Sequence, residues 1–123
     1  MIYQIPINVE TFYIAGQSDA AAERFVFAYT ITIRNESGST VKLLRRYWSI
    51  TDANGKHTEV RGDGVVGEQP ELAPGSSYTY TSGAVLETPV GTMQGHYEMQ
   101  TTDGNEFEAP IPLFRLAVPN VLN

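Results

Sequence analysis

Gly62-Asp63-Gly64-Val65-Val66-Gly67 satisfies G-x-G-x-x-G, the spacing that lets a backbone close around a pyrophosphate. That chemistry needs a strand before the glycines and a helix after them, so that the first helical amides receive the phosphates. Here Glu68-Gln69-Pro70 follows and a β-rich pattern resumes, while Asp63 and Glu68 would repel phosphate. The segment therefore reads as a glycine-shaped surface loop, with a small-anion or nucleotide site as the alternative. Val65 and Val66 admit two readings. They form an apolar tip ringed by Asp63, Glu68 and Gln69, as in a small interface, or they anchor the loop beneath the sheet.

Leu44, Arg46, Trp48 and Ile50 share one strand phase, so a charge accompanies three large apolar side chains. A guanidinium there calls for a carboxylate partner or the Trp48 ring face. The functional alternative is contact with an anion or a peptide carboxylate beside an exposed aromatic. Arg45 and Tyr47 take the opposite face.

Acid–base and metal chemistry are thinly supplied. The chain has two histidines and no cysteine, which removes disulfides, thiolate zinc sites, iron–sulfur ligation and thiol nucleophiles together. His57 follows the Asn54-Gly55 turn. His96 and Glu98 lie on one strand face about 7 Å apart, and Glu106 and Glu108 repeat that spacing. Asp52, His57, Glu59 and Asp63 could offer metal ligands, but in no spacing known for an oxygen-rich loop, so the metal question stays open. No nucleophile–base constellation is legible. The chain is expected to be non-enzymatic, with no catalytic residues and no cofactor.

Strands must carry these residues. Val, Ile, Thr and the aromatics fill 43 of 123 positions, the types that suit a pleated, half-buried surface. Phe25, Phe27, Tyr29, Ile31 and Ile33 alternate with Val26, Ala28, Thr30, Thr32 and Arg34. Similar runs cover 4–15, 24–35, 41–52, 56–60, 78–86, 92–102 and 106–116, which makes seven strands. Asp52-Ala53-Asn54-Gly55 and Thr102-Asp103-Gly104-Asn105 suit tight antiparallel hairpins. Ser18 to Glu23 alone has helical character and is too short to cover a sheet. In the last run Phe107, Ala109 and Ile111 keep one phase while Phe114 and Leu116 take the other. That predicts a bulge at Pro112 in a strand at a sheet edge or sandwich corner. The architecture expected is an all-β antiparallel two-sheet sandwich of fibronectin type III or immunoglobulin character, one domain over 1–123.

Charge and hydropathy exclude whole classes. With a net charge of −6, the chain lacks the basic surface that direct nucleic-acid binding requires. No window approaches the roughly 20 apolar residues of a membrane span. Gln4, Pro6, Asn8, Glu10 and Thr11 interrupt any secretory pattern in the first 14 residues, so a cytoplasmic location is expected.

The sequence resembles the bacterial ApaG family from about Val9 to Pro119. The resemblance is carried by Arg46-Tyr47-Trp48-Ser49-Ile50-Thr51-Asp52-Ala53-Asn54-Gly55 and by Gly62 through Pro70, then Leu72, Pro74 and Gly75. Further on it rests on Tyr80, Ser82 and Gly83, on Gly91, Met93, Gly95, Tyr97 and Met99, and on Phe107, Ile111, Pro112, Phe114 and Leu116. It implies a fibronectin type III-like sandwich in a soluble bacterial protein of undefined biochemical activity, with links to cobalt tolerance and magnesium efflux. A divalent-cation homeostasis role is thereby a further alternative. In eukaryotes the similar domain is thought to contact protein partners. Tyr47 stands where the family often has His, and His96 where a small polar residue is common.

The function these readings favour is a protein–protein interaction module for an unidentified partner. Its contact surface is the loop Gly62, Asp63, Gly64, Val65, Val66, Gly67, Glu68, Gln69 and Pro70 with the adjacent Arg46 and Trp48. The mechanism is preorganised docking, in which the glycines permit close backbone approach and both valines supply apolar area. Monomer and weak homodimer both remain open.

Overall fold

The structure, a computed structural model, describes residues 4 to 119. Its strands are β1 (Ile7–Tyr13), β2 (Phe25–Arg34), β3 (Val41–Asp52), β4 (His57–Asp63), β5 (Glu71–Leu72), β6 (Ser77–Leu86), β7 (Val90–Thr101) and β8 (Glu106–Ala117). They form two sheets, β1-β2-β6 and β4-β3-β7-β8, with β5 also paired to β3. All pairings are antiparallel. The all-β sandwich matches the expectation from periodicity, with eight strands rather than seven. Two residues of β5 are too few to leave a periodic signal. The helical character near Ser18 to Glu23 is reduced to two short 3₁₀ turns, Ala15–Gln17 and Ala20–Ala22.

The core lies between the inner faces. Phe27, Tyr29, Ile31 and Ile33 of β2 are buried as their alternation requires. Trp48 sits at the centre, its ring edge-on to Tyr29 at 5.5 Å, Tyr97 at 6.4 Å and Phe114 at 5.7 Å. Such tilted arrangements satisfy the ring quadrupoles while burying large apolar area. Trp48 is thus a core residue and is not the exposed aromatic contact expected for it.

Two bulges set the phases. The β3–β7 register shifts between Leu43 and Arg45, which makes Leu44 the extra residue. Val41 and Leu43 therefore enter the core before the bulge and Trp48 after it. Leu44 consequently does not share the phase of Arg46 and Trp48. On β8, Met93 opposes Phe114 while Gly95 opposes Ile111, so the strand carries its extra residue around Pro112 at a sheet edge, as the phase change there predicts.

Candidate functional site: the cleft beneath the glycine loop

One edge of β3 is served by two strands in succession. β4 pairs with Arg45 to Thr51 and β5 with Val41 and Lys42, and the chain between them leaves the sheet at the Leu44 bulge. The bulge ties that excursion down. Leu44 O accepts from Gly64 N at 2.8 Å and from Gln69 Nε2 at 3.0 Å, and Leu43 N donates to Pro70 O at 3.0 Å. Gly62 and Asp63, expected in the loop, are the last residues of β4.

Arg46 holds the loop from inside. Its Nη1 donates to the carbonyls of Asp63 and Gly64, both at 3.0 Å. Among the described residues it makes no ion pair, so the carboxylate partner expected for it is replaced by main-chain oxygens. Gly62 makes room for this: a β-carbon there would lie 2.8 Å from both terminal guanidinium nitrogens. At Gly64, φ is +62° and a β-carbon would meet Glu68 O at 2.3 Å. Both glycines are required by the loop's own construction.

The tip is a two-residue turn. Val65 N donates to Glu68 O at 2.8 Å and Glu68 N returns to Val65 O at 2.9 Å. Val66 (φ 47°) and Gly67 (φ 79°) fill the centre, and positive φ at both is what a type I′ turn requires. Asn-Gly or Gly-Gly is the usual pair; a β-branched residue in the left-handed region is a true outlier. The turn also divides the valines. Val65 is 0% exposed and belongs to the core, whereas Val66 is 62% exposed. Only Val66 can supply apolar surface, which corrects the expectation for Val65.

The loop roofs a cleft of about 350 Å³ between the sheets. Arg46 and Trp48 line it from β3, Asp63 and Val65 to Gly67 from the loop, and Tyr29 with Tyr80, Thr81 and Ser82 from the three-stranded sheet. Burial raises the Tyr29 hydroxyl above its ordinary range, opposed by a hydrogen bond with Ser82 and by the Arg46 charge. Burial likewise pushes up Tyr80 and Tyr97, whose hydroxyls are hydrogen-bonded to each other. All three stay neutral, so that among the described residues Arg46 is the one cation and Asp63 the one acid lining the cleft.

The G-x-G-x-x-G backbone is not arranged for phosphate, because the amides of Gly64, Val65 and Glu68 are spent on Leu44, Glu68 and Val65. The next element after the glycines is the strand β5, not a helix. The four acidic or imidazole groups considered for a metal are dispersed. Asp52 Oδ1 accepts from the amides of Asn54 and Lys56. His57 Nε2 lies 2.6 Å from Ser49 Oγ, and Glu59 takes the Tyr47 hydroxyl at 2.6 Å. The Ser49–His57 contact, absent from the sequence reading, sits on the exposed outer face of β3 and β4 with Glu59 turned away to Tyr47. His96 and Glu98 do come together, joined by Glu108 from the neighbouring strand.

Sequence reasoning missed Tyr29, Tyr80, Thr81 and Ser82 as cleft residues. Alternation along 77–86 could place Tyr80 inward, but only sheet packing brings it opposite Arg46.

The ApaG domain matches residues 15–101. The chain is 58% identical over 120 residues to protein ApaG of Enterobacter sp. (strain 638), spanning 98% of this chain and 96% of that one. Its identity to protein ApaG of Cronobacter sakazakii is also 58% over 120 residues, with the same two coverages. The crystal structure of the putative ApaA protein from Bordetella pertussis superposes with a TM-score of 0.93 at 44% identity, covering 97% of each chain. A protein from Archaeoglobus fulgidus, at 9% identity and a TM-score of 0.57 over 96% of this chain and all of that one, shares the fold alone. Among the described residues, no helix is long and apolar enough to cross a membrane. With the family match over 15–101 and near full-length relatives, this chain belongs to the ApaG domain family.

Proposed function

We propose that the protein is a non-enzymatic recognition module that docks a segment of a partner protein in the cleft between the Gly62 to Pro70 loop and β6. The observation that carries this reading is Val66. A β-branched residue held at φ 47° with 62% of its surface exposed costs stability and supports no core. Strain of this kind is retained where the side chain has an external use. Beside it, Arg46 spends Nη1 on the loop, while Nε and Nη2 make no hydrogen bond among the described residues. The fitting segment therefore brings an apolar side chain to Val66 and a carboxylate to Arg46.

Two features support a non-enzymatic role. The Ser49–His57 pair lies on an open sheet face, and its nearest acidic neighbour on β4, Glu59, is engaged by Tyr47. Burial suppresses ionisation of the Tyr29 and Tyr80 hydroxyls that line the cleft, so they serve as donors and not as bases.

The test is selection of peptides from a random display library against the folded protein, followed by amide-resolved NMR with the enriched peptide. Expected are saturable shifts confined to Asp63–Gly67 and Tyr80–Ser82, with affinity about tenfold or more weaker in Val66→Asn and Arg46→Met. No enrichment, or shifts elsewhere on the surface, overturns the proposal. Saturable shifts of the same amides with inorganic phosphate or a dinucleoside polyphosphate, and none with peptides, would instead make the cleft a small-anion site.

A further inference from the structure

The outer face of the larger sheet, across the molecule's thickness from the cleft, carries a second constellation. His96 and Glu98 are two residues apart on β7, and Glu108 is the direct cross-strand neighbour of Glu98 on β8. His96 Nε2 lies 3.4 Å from Glu98 Oε2 and 3.6 Å from Glu108 Oε2, and the three ligand atoms fall within 4.8 Å of one another. Like charges directly opposite on paired strands are destabilising unless something bridges them. Both separations exceed a good hydrogen bond, which for these atoms is about 2.7–3.2 Å. They match the edge of a tetrahedron around zinc, about 3.4 Å for metal–ligand distances near 2.0–2.1 Å.

The surroundings hold the donors in place. Arg45 Nε takes Glu98 Oε1 at 2.5 Å, which turns Oε2 toward His96, and Arg45 Nη2 takes Glu106 Oε1 at 2.6 Å. The carboxylates of Glu98, Glu106 and Glu108 thus outnumber by two the Arg45 guanidinium that pairs with Glu98 and Glu106, and two is the charge of a divalent ion. Tyr47 stacks on the His96 ring at 5.1 Å and 30°, and Arg61 lies over the Tyr47 ring at 4.4 Å from its centroid. The imidazole plane is therefore fixed by packing and the carboxylate by a guanidinium, the arrangement that orients ligands around a metal.

We propose that His96 Nε2, Glu98 Oε2 and Glu108 Oε2 form a divalent transition-metal site, with solvent completing the coordination shell. One nitrogen and two carboxylate oxygens favour zinc-like ions; magnesium, which demands six oxygen donors in near-octahedral geometry, should compete poorly.

The full-length protein titrated with zinc chloride by calorimetry should bind one ion, and Glu108→Gln should weaken it at least about tenfold. Glu108 is largely exposed on an edge strand, so this variant keeps the fold; His96→Gln serves as the second test. Glu87→Gln, a surface carboxylate paired with Lys56, should leave the affinity unchanged. In parallel, manganese added at substoichiometric amounts should broaden the amides of residues 96–98 and 107–109 first. A calorimetric blank, broadening spread evenly over the acidic surface, or Glu108→Gln binding zinc as the parent does would each overturn the proposal and leave the cluster an ion-paired surface.

Discussion

The guanidinium of Arg46 lies so close over Gly62 that a β-carbon would come within 2.8 Å of Nη1 and Nη2. The two residues are cross-strand partners on β3 and β4, and the missing side chain of one is the seat of the other. Gly62→Ala should displace the guanidinium from the carbonyls of Asp63 and Gly64 and cost about 1 kcal/mol. Hydrogen exchange should then quicken at Gly64 and Val65 while the β2 amides keep their protection. Unchanged exchange in the loop would mean that Arg46 does not hold it.

The two adjacent valines should respond in opposite directions. Val65→Ser buries a hydroxyl in an apolar core and should lower stability by about 2–3 kcal/mol. Val66→Asn relieves the left-handed strain and should raise it by about 1 kcal/mol. Chemical denaturation of both variants checks this, and equal effects would refute the division between core and rim.

The Tyr80–Tyr97 pair predicts alkaline sensitivity. Burial raises both hydroxyls above the ordinary 10.0, so the unfolded chain loses these protons first as pH rises. Stability is whole below pH 10 and declines above it, by up to about 1.4 kcal/mol per pH unit for each tyrosine. Urea midpoints followed from about pH 8 to about pH 11 should fall, and Tyr97→Phe should lessen the slope. A flat profile would place the ionisable groups elsewhere.

Asn35 is fully buried and fully used. Its Nδ2 donates to Ser39 O at 2.7 Å and Leu72 O at 2.9 Å, and its Oδ1 accepts from Ser37 N at 2.9 Å and Ser37 Oγ at 2.6 Å. It joins the end of β2 to β5 and so steadies the return of the loop. Asn35→Ala would leave buried carbonyls unpaired and should cost about 3 kcal/mol, read as a lower melting temperature. A shift of only a degree or two would show that water replaces the amide.

Much of the sheet was legible in the chain. Alternation at Phe27, Tyr29, Ile31 and Ile33 is a property of consecutive residues, and one buried face fixes it wherever the strand goes. The turns at Asn54-Gly55 and Gly104-Asn105 were equally local, since positive φ at Gly55 and Gly104 follows from residue type. The reversed phase around Pro112 announced its bulge. The bulge at Leu44 had no such mark, because the residues on both sides of it are bulky and its cause is the pairing of β3 with β7. Arg46 could be picked out as a charge in an apolar phase, but its partners could not, because main-chain oxygens carry no residue signature.

What the sequence by itself determined is the antiparallel all-β class, the core face of β2, and the shared strand phase of Arg46 and Trp48. Only the tertiary structure decided that Trp48 is core, that Val65 turns in while Val66 turns out, and that Tyr80 to Ser82 close the cleft. It alone brought Glu108 to His96 and Glu98. The physical reason is range: strand period and turn type arise from contacts between neighbours in the chain. The cleft and the outer-face cluster instead depend on register between strands tens of residues apart, which a bulge of one residue resets.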